Sequence, residues 1–197
     1  MRRTNLIALG VVLLLGIAVG AYYRDELVVW LYNLHLIPAP FVAPAAPVVS
    51  PAINTGTTLE MTGLDKPLPL VYSNTLDEAQ LQEDLKQGAV ILPLGTDFGE
   101  PGNMVITAHS SGTAAFGPFR FAFSKLADLQ TGDTFVIKTP HKTYTYKVFS
   151  REIVWPTDVD KLPHDDRSTV TLVTCWPLWT NFKRLLVNGE LVSTTAQ

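Results

Sequence analysis

Thr171-Leu172-Val173-Thr174-Cys175-Trp176-Pro177 is the stretch that decides the fold and the chemistry together. It is short, apolar and rich in β-branched residues, which is the composition of a strand, and it closes on the only cysteine in the chain. Arg184 stands nine residues on, near the start of a second such run, Lys183-Arg184-Leu185-Leu186-Val187. Further upstream, Asn103-Met-Val-Ile-Thr-Ala108 runs into His109. A single thiol cannot form an intramolecular disulfide, so Cys175 is buried and inert, paired with another chain, or reactive. Free cysteine is among the most buried residue types, and the surrounding residues have to decide.

A reactive cysteine needs help. At its free pKa of about 8.5 a thiol is mostly protonated near neutrality, so a nucleophilic cysteine requires a neighbouring imidazole or cation. A histidine can fill that place and then protonate the leaving amine. The tetrahedral oxyanion needs directional donors, which a guanidinium supplies without being deprotonated. His109, Cys175 and Arg184 offer one group for each task. Taken singly, His109 reads as an ordinary loop histidine, like His35, His141 and His164, and Arg184 as a solvated strand residue equal to Lys183. Only their positions relative to Cys175 lift them.

The conjunction resembles a known family. Thr171-Leu-Val-Thr-Cys175 is similar to the Thr-Leu-x-Thr-Cys motif of sortases, the membrane-anchored cysteine transpeptidases of bacterial surfaces. Lys183-Arg184-Leu-Leu-Val187 resembles their arginine-bearing strand. Gly88-Ala-Val-Ile-Leu-Pro93 and Pro101-Gly-Asn103-Met-Val-Ile-Thr-Ala-His109-Ser110 resemble the segment leading into their histidine. The likeness runs from about Leu81 to Leu191 with the three key positions in the family's order.

Outside that stretch the residues speak for themselves. The chain has 197 residues, 47% of them hydrophobic, enough for one domain with a real core. Arg2 and Arg3 precede an apolar run over residues 6–23, near the lower length limit for a membrane-spanning helix, with residues 1–5 expected inside the cell and the bulk of the chain outside. A cleaved signal peptide is the competing reading, with small residues at Ala18-Val19-Gly20. The length of the run, and the second apolar stretch Leu27–Ile37 with Trp30 and Tyr32, favour a retained anchor. Residues 24–56 then read as an interfacial segment and a linker. Pro38, Pro40, Pro44, Pro47 and Pro51 forbid regular helix there and favour an extended spacer. The folded unit is expected over residues 57–197. Beyond Tyr23 thirteen Lys and Arg face eighteen Asp and Glu, which argues against nucleic acid as a partner.

The folded unit reads as mainly β. Strands are expected at Asn103–Ala108, Thr134–Thr139, Thr143–Ser150, Thr169–Thr174 and Lys183–Val187. In Thr143-Tyr-Thr-Tyr-Lys-Val148 the tyrosines and the valine share one face. Thr75 with Glu78 reads as a capping box opening a helix that Gly88 closes, and Ser124–Gln130 before Gly132 reads as a second helix. Short strands with few helices point to a sandwich or a closed barrel. The resemblance selects the barrel. The strand reading itself sets His109 and Cys175 at strand ends, on a barrel rim, and starts another strand at Arg184 after a short connection, so that a hairpin is expected to bring Arg184 back beside the cysteine.

The resemblance further implies transpeptidation. Cys175 attacks the Thr-Gly carbonyl of a Leu-Pro-x-Thr-Gly-like sorting signal, Arg184 holds the oxyanion, and His109 serves the departing and incoming amines. The acceptor is a cell-wall precursor or a pilin lysine, and the partners are surface proteins bearing the signal. The loop Val154–Arg167, with Trp155 and Leu162, together with Thr174, Trp176 and Trp179, is where substrate contacts are expected. No cofactor is called for, and a lone cysteine with scattered histidines has no zinc spacing. Asp65-Lys66-Pro67 does not reproduce the Asp-Pro-aromatic lid of pilin-polymerising sortases, whereas the short connection from Cys175 to Arg184 resembles that class, so the subclass stays open. A papain-like peptidase would place its cysteine before its histidine, the reverse of this chain. The remaining rival is a membrane-tethered, non-catalytic β-barrel with Cys175 buried, or an inactive family member.

Overall fold

A computed structural model of the chain describes residues 53–158, 162–163 and 166–196. The expected membrane anchor and most of the Pro-rich linker lie outside the described residues. Among the described residues no helix is long and apolar enough to cross a membrane.

The sequence folds into a closed barrel of eight strands: β1 (Ile53–Met61), β2 (Leu68–Tyr72), β3 (Ala89–Ile91), β4 (Gly102–Thr107), β5 (Thr134–Lys138), β6 (Lys142–Val154), β7 (Ser168–Trp176) and β8 (Lys183–Ala196). The order around the barrel is β1-β2-β3-β4-β7-β8-β6-β5, and β5 pairs with β1 to close it. The side-chain period of two decides what faces inward. Tyr144, Tyr146 and Val148 of β6 enter the core as their alternation predicts, joined by Met104, Ile106, Val170, Leu172, Leu185 and Val187. Phe135 and Tyr146 stack with ring centroids 5.4 Å apart. Gly189 on β8 permits that stack, because a Cβ there would stand 2.4 Å from Phe135 Cε1.

β4 and β7 run parallel at the centre of one wall, paired from Gly102↔Ser168 to Thr107↔Val173. β7 and β8 form an antiparallel hairpin, paired from Thr169↔Glu190 to Trp176↔Lys183. The expected strands are therefore present, though β8 runs on to Ala196 and β6 to Val154. β1 begins at Ile53, four residues before the expected start of the domain, and its first residues pair with Val71 and Tyr72.

The helices depart further from expectation. The single α-helix among the described residues, α1 (Glu78–Asp84), is capped by Asp77 rather than Thr75. The Asp77 carboxylate accepts from the Gln80 N–H at 3.0 Å, while the Thr75 hydroxyl accepts from the Asp77 N–H one step earlier. A carboxylate at the first helix end also complements its dipole, so aspartate takes the position. The second expected helix is only a 3-10 turn, Leu126–Asp128. Leu126 and Leu129 are both fully buried, and their spacing of three fits the tighter helix. The Ala127 carbonyl is taken by the Arg151 guanidinium at 2.7 Å.

Candidate active site

Register brings the three candidate groups together. Met104, Ile106 and Ala108 of the β4 wall enter the core, so Asn103, Val105, Thr107 and His109 lie on the opposite, outer face. On β7 the outer face carries Thr169, Thr171, Val173 and Cys175, and on β8 it carries Arg184, Leu186 and Asn188. Cys175 is the direct partner of Arg184. Carrying the β4–β7 register two residues past its last pair, Thr107↔Val173, brings His109 level with Cys175. Imidazole, thiol and guanidinium therefore occupy one row across three adjacent strands, spaced by about 4.8 Å from strand to strand.

Local hydrogen bonds tie that row down. The Thr174 hydroxyl donates to the Ala108 carbonyl at 2.7 Å, and the Ser110 hydroxyl donates to the Cys175 carbonyl at 2.9 Å. The residues beside His109 are thus bonded to Cys175 and to its neighbour. The His109 ring meets the edge of Phe116 at 4.8 Å, and its carbonyl accepts from the Phe123 N–H at 2.8 Å. His109 Nε2 is buried without a protein partner. One nitrogen of Arg184, Nη1, donates to the carbonyls of Asn181 and Lys183 at 3.1 and 3.0 Å. That anchors the fork while leaving Nε and Nη2 without protein acceptors among the described residues.

Electrostatics oppose a charged pair at rest. Burial pushes the Cys175 thiol up from its ordinary value; the Arg184 charge pulls it back, and Glu78 adds to the rise. Burial also pulls the His109 imidazole down, with Glu78 opposing. Both neutral forms are favoured, and among the described residues Glu78 is the one carboxylate acting on both groups. Its helix packs through Leu81 and Leu85 on Val71 and Val90, and Val90 pairs with Thr107, so α1 flanks the same outer face.

The expected substrate contacts divide. Leu162 lines an open cavity of about 500 Å³ with Leu94, Thr96, Asn103, Val105 and Asp166, farther down the β4–β7 face from Cys175. Trp155 follows Val154, the partner of Arg184, and lies under the Lys183 ammonium, 4.7 Å from its ring centre. Trp179 is 69% exposed with φ of 67°. Its backbone N–H donates to the Ser111 hydroxyl at 2.6 Å and its ring meets Phe121, so it fastens the β7–β8 connection to the histidine-bearing segment. Thr174 and Trp176 do not face the groove. Thr174 is buried and bonded to Ala108, and Trp176 packs against the core, because both fall on the face opposite Cys175. Sequence reasoning missed Ser110 and Ser111 as ties and read Glu78 only as a cap residue; no local signal places a helix carboxylate beside a strand from another part of the barrel. Among the described residues no group of three or more His, Cys, Asp or Glu is assembled as a metal site.

The fold and the row together define a class: a closed eight-stranded barrel presenting a thiol, an imidazole and a guanidinium side by side on one wall. The sortase-domain family profile matches residues 60–192. The chain is 35% identical over 72 residues to the putative sortase YwpE of Bacillus subtilis (strain 168), covering 36% of this chain and 71% of that one. It is 27% identical over 130 residues to sortase A of Bacillus anthracis, covering 66% of this chain and 56% of that protein. Its fold overlays sortase C from Clostridium perfringens SM101 with a TM-score of 0.53 and 30% identity, covering 69% of this chain and 68% of that one. The chain belongs to the sortase family, and its fold is that of a transpeptidase of the sortase type.

Proposed function

We propose that this chain cleaves a Leu-Pro-x-Thr-Gly-like sorting signal through a thioester on Cys175 and passes the acyl group to an amine. The observation that carries the reading is the single row His109–Cys175–Arg184. In the first half-reaction the Cys175 thiolate adds to the Thr-Gly carbonyl carbon, and the carbonyl π electrons move to oxygen. The free Arg184 N–H groups stabilise that oxyanion. Its collapse breaks the C–N bond, and the imidazolium of His109 gives its proton to the departing glycine amine. In the second half-reaction an incoming amine adds to the thioester, loses a proton to His109, and expels the thiolate. The product is a new amide to a cell-wall precursor or a pilin lysine.

The peptide lies along the outer face of β4 and β7 in this reading. From the Cys175 row to Val105 is four residues of strand, about 13 Å, so an extended peptide with its scissile carbonyl at Cys175 reaches the Leu162 cavity about four residues upstream. Trp155 and Leu162 then contact substrate, and Trp179 walls the site on the histidine side. Thr174 acts as a positioning residue. The apolar run over residues 6–23, read as a retained anchor, would hold the domain on the outer face of the cytoplasmic membrane near such substrates.

The test is intact-mass spectrometry of the chain incubated with Leu-Pro-x-Thr-Gly-like peptides, with and without an amine. The expected result is an acyl adduct on the wild type that the amine discharges and that Cys175→Ala cannot form. A Cys175 thiol that neither acylates nor alkylates in the folded state would instead establish a non-catalytic barrel.

A further inference from the structure

Two rows below Cys175 the outer face of the sheet is polar, although most of it is buried. Thr171 and Asn188 are direct cross-strand partners, 0% and 1% exposed, and Thr169 is 3% exposed. The two threonines converge on Asn103 of β4. The Thr169 hydroxyl donates to Asn103 Oδ1 at 3.1 Å and to the Gly102 carbonyl at 3.1 Å. The Thr171 hydroxyl donates to Asn103 Oδ1 at 3.0 Å and to Asn188 Oδ1 at 2.7 Å. Each hydroxyl shares its one hydrogen between two oxygens, so neither depends on Asn103 alone. Asn188 in turn donates from Nδ2 to the Ser150 hydroxyl on β6 at 2.9 Å, which completes a ladder across four strands.

That ladder decides which end of the Asn103 amide is free. Oδ1 receives two hydroxyls, so both its lone pairs are engaged. Nδ2 carries two hydrogens and has no protein acceptor among the described residues. Nor is it one of the buried side-chain atoms stranded without a partner, which belong to Asp84, His109, Tyr146 and Arg151. Asn103 is half-buried and lines the groove cavity beside Val105 and Leu162, so its unused hydrogens open onto that cavity. Gly95 sets the opposite wall. A Cβ there would overlap the Asn103 backbone carbonyl oxygen, so glycine is what lets Leu94 and Thr96 close on β4. A fixed donor between the apolar walls of Leu94, Val105 and Leu162 suits a carbonyl oxygen.

We propose that Asn103 is a specificity residue, its side-chain NH2 group held towards the groove by Thr169 and Thr171 as a donor to a backbone carbonyl of the bound peptide. The proposal rests on the peptide path given above and adds to it a polar contact. Asn103 pairs with Thr169, six residues before Cys175, and its amide lies between the Thr169 and Thr171 rows. Along an extended peptide the carbonyl it takes is four to six residues upstream of the scissile one, about 13–20 Å away. In a Leu-Pro-x-Thr-Gly-like signal the leucine stands only three residues before the threonine. The contact therefore falls just ahead of the signal, on main chain that a bare pentapeptide lacks. It demands an extended segment there without demanding any one side chain.

The test is a paired backbone scan of peptides that carry the signal and the four residues before it. Each upstream peptide bond is replaced in turn by an (E)-alkene, which deletes C=O and N–H together, or by its N-methyl amide, which deletes the N–H alone. A single neutral hydrogen bond is worth about a 3- to 10-fold change in affinity. In the wild type one alkene, four to six residues upstream, should raise KM about 3- to 10-fold with kcat unchanged, and the N-methyl amide at the same bond should not. Asn103→Ala should show that rise already with the parent peptide and no further rise with the alkene. Asn103→Asp keeps an oxygen for the two threonines but turns a second oxygen on the peptide carbonyl, so it should bind the parent peptide more weakly than Asn103→Ala does. A flat alkene scan, an N-methyl penalty as large as the alkene's, or an equal alkene penalty in wild type and Asn103→Ala overturns the donor while leaving the transpeptidase reading intact. The wild-type scan decides the matter even if neither variant folds. Failure of the wild type to acylate with any unmodified peptide overturns both.

Discussion

Removing one hydroxyl, that of Thr174, should loosen the candidate site without touching substrate. Thr174→Val is nearly isosteric, so it opens no cavity; it deletes the 2.7 Å hydrogen bond to the Ala108 carbonyl. Both residues are buried, 2% and 4% exposed, so water cannot restore the bond. Leaving one buried acceptor unpaired costs about 1–3 kcal/mol. For a domain of this size each kcal/mol lowers Tm by about 2–4 °C. Ala108 precedes His109 and Thr174 precedes Cys175, so the loosened tie lies directly under the pair. A misplacement approaching 1 Å costs about 100-fold in rate. Thermal unfolding of the full chain, paired with the single-turnover rate of thioester formation, measures both effects. Thr174→Ser keeps the donor and should recover most of the rate. The reasoning is refuted if Thr174→Val keeps its Tm within about 1 °C and its rate within about twofold, or if Thr174→Ser loses as much as valine does.

Three further outcomes follow from the geometry. Arg184→Lys replaces a fork anchored on the Asn181 and Lys183 carbonyls by a single point charge, and kcat should fall by about 100- to 1,000-fold with little change in KM, read by steady-state peptide turnover. Glu78→Gln removes the carboxylate that raises both groups, so the imidazole and the thiol should both titrate lower; the acid and alkaline limbs of the kcat/KM profile should shift together towards acid, whereas Glu83→Gln, whose carboxylate is paired with Lys86, should leave both limbs in place. A fragment starting at Thr57 loses the pairing of Ile53 and Asn54 with Tyr72 and Val71, and should unfold at lower urea than one starting at residue 51.

What could be read in the sequence was what local pattern carries. The alternation of Tyr144, Tyr146 and Val148 placed β6, and the β-branched run ending at Cys175 placed β7, because a side-chain period of two survives in a short window. β1, β2 and β3 were not foreseen as strands. Ile53–Met61 contains Gly56 and several threonines, Leu68–Tyr72 carries Pro69, and Ala89–Ile91 is too short to show a period. Each is a strand because the barrel supplies its neighbours. The same divide runs through the site. The order of His109, Cys175 and Arg184 was legible, as was the return of Arg184 beside the cysteine through a short hairpin. The parity that turns Thr174 and Trp176 away from the groove needs the register of β7 against β4 and β8, which no single segment contains.

The electrostatics of the row explain why a guanidinium belongs there even before an oxyanion forms. Burial raises the Cys175 thiol and lowers the His109 imidazole, so the reactive ion pair is a minor form at neutral pH. Each unit by which a thiol is raised cuts its thiolate fraction about tenfold, yet returns only about threefold through greater intrinsic nucleophilicity, since the Brønsted slope is about 0.4–0.5. Burial therefore costs rate on balance. Among the described residues the one charge acting to lower the thiol is Arg184, its direct cross-strand partner, and Glu78 works against it. Arg184 would thus act twice, on the thiolate before attack and on the oxyanion after it. The two roles separate experimentally: loss of the first moves the alkaline limb of the pH profile upward and lowers the plateau with it, whereas loss of the second lowers the plateau and leaves the limb in place. Arg184→Lys keeps a charge and should mainly lower the plateau, while Arg184→Gln should do both.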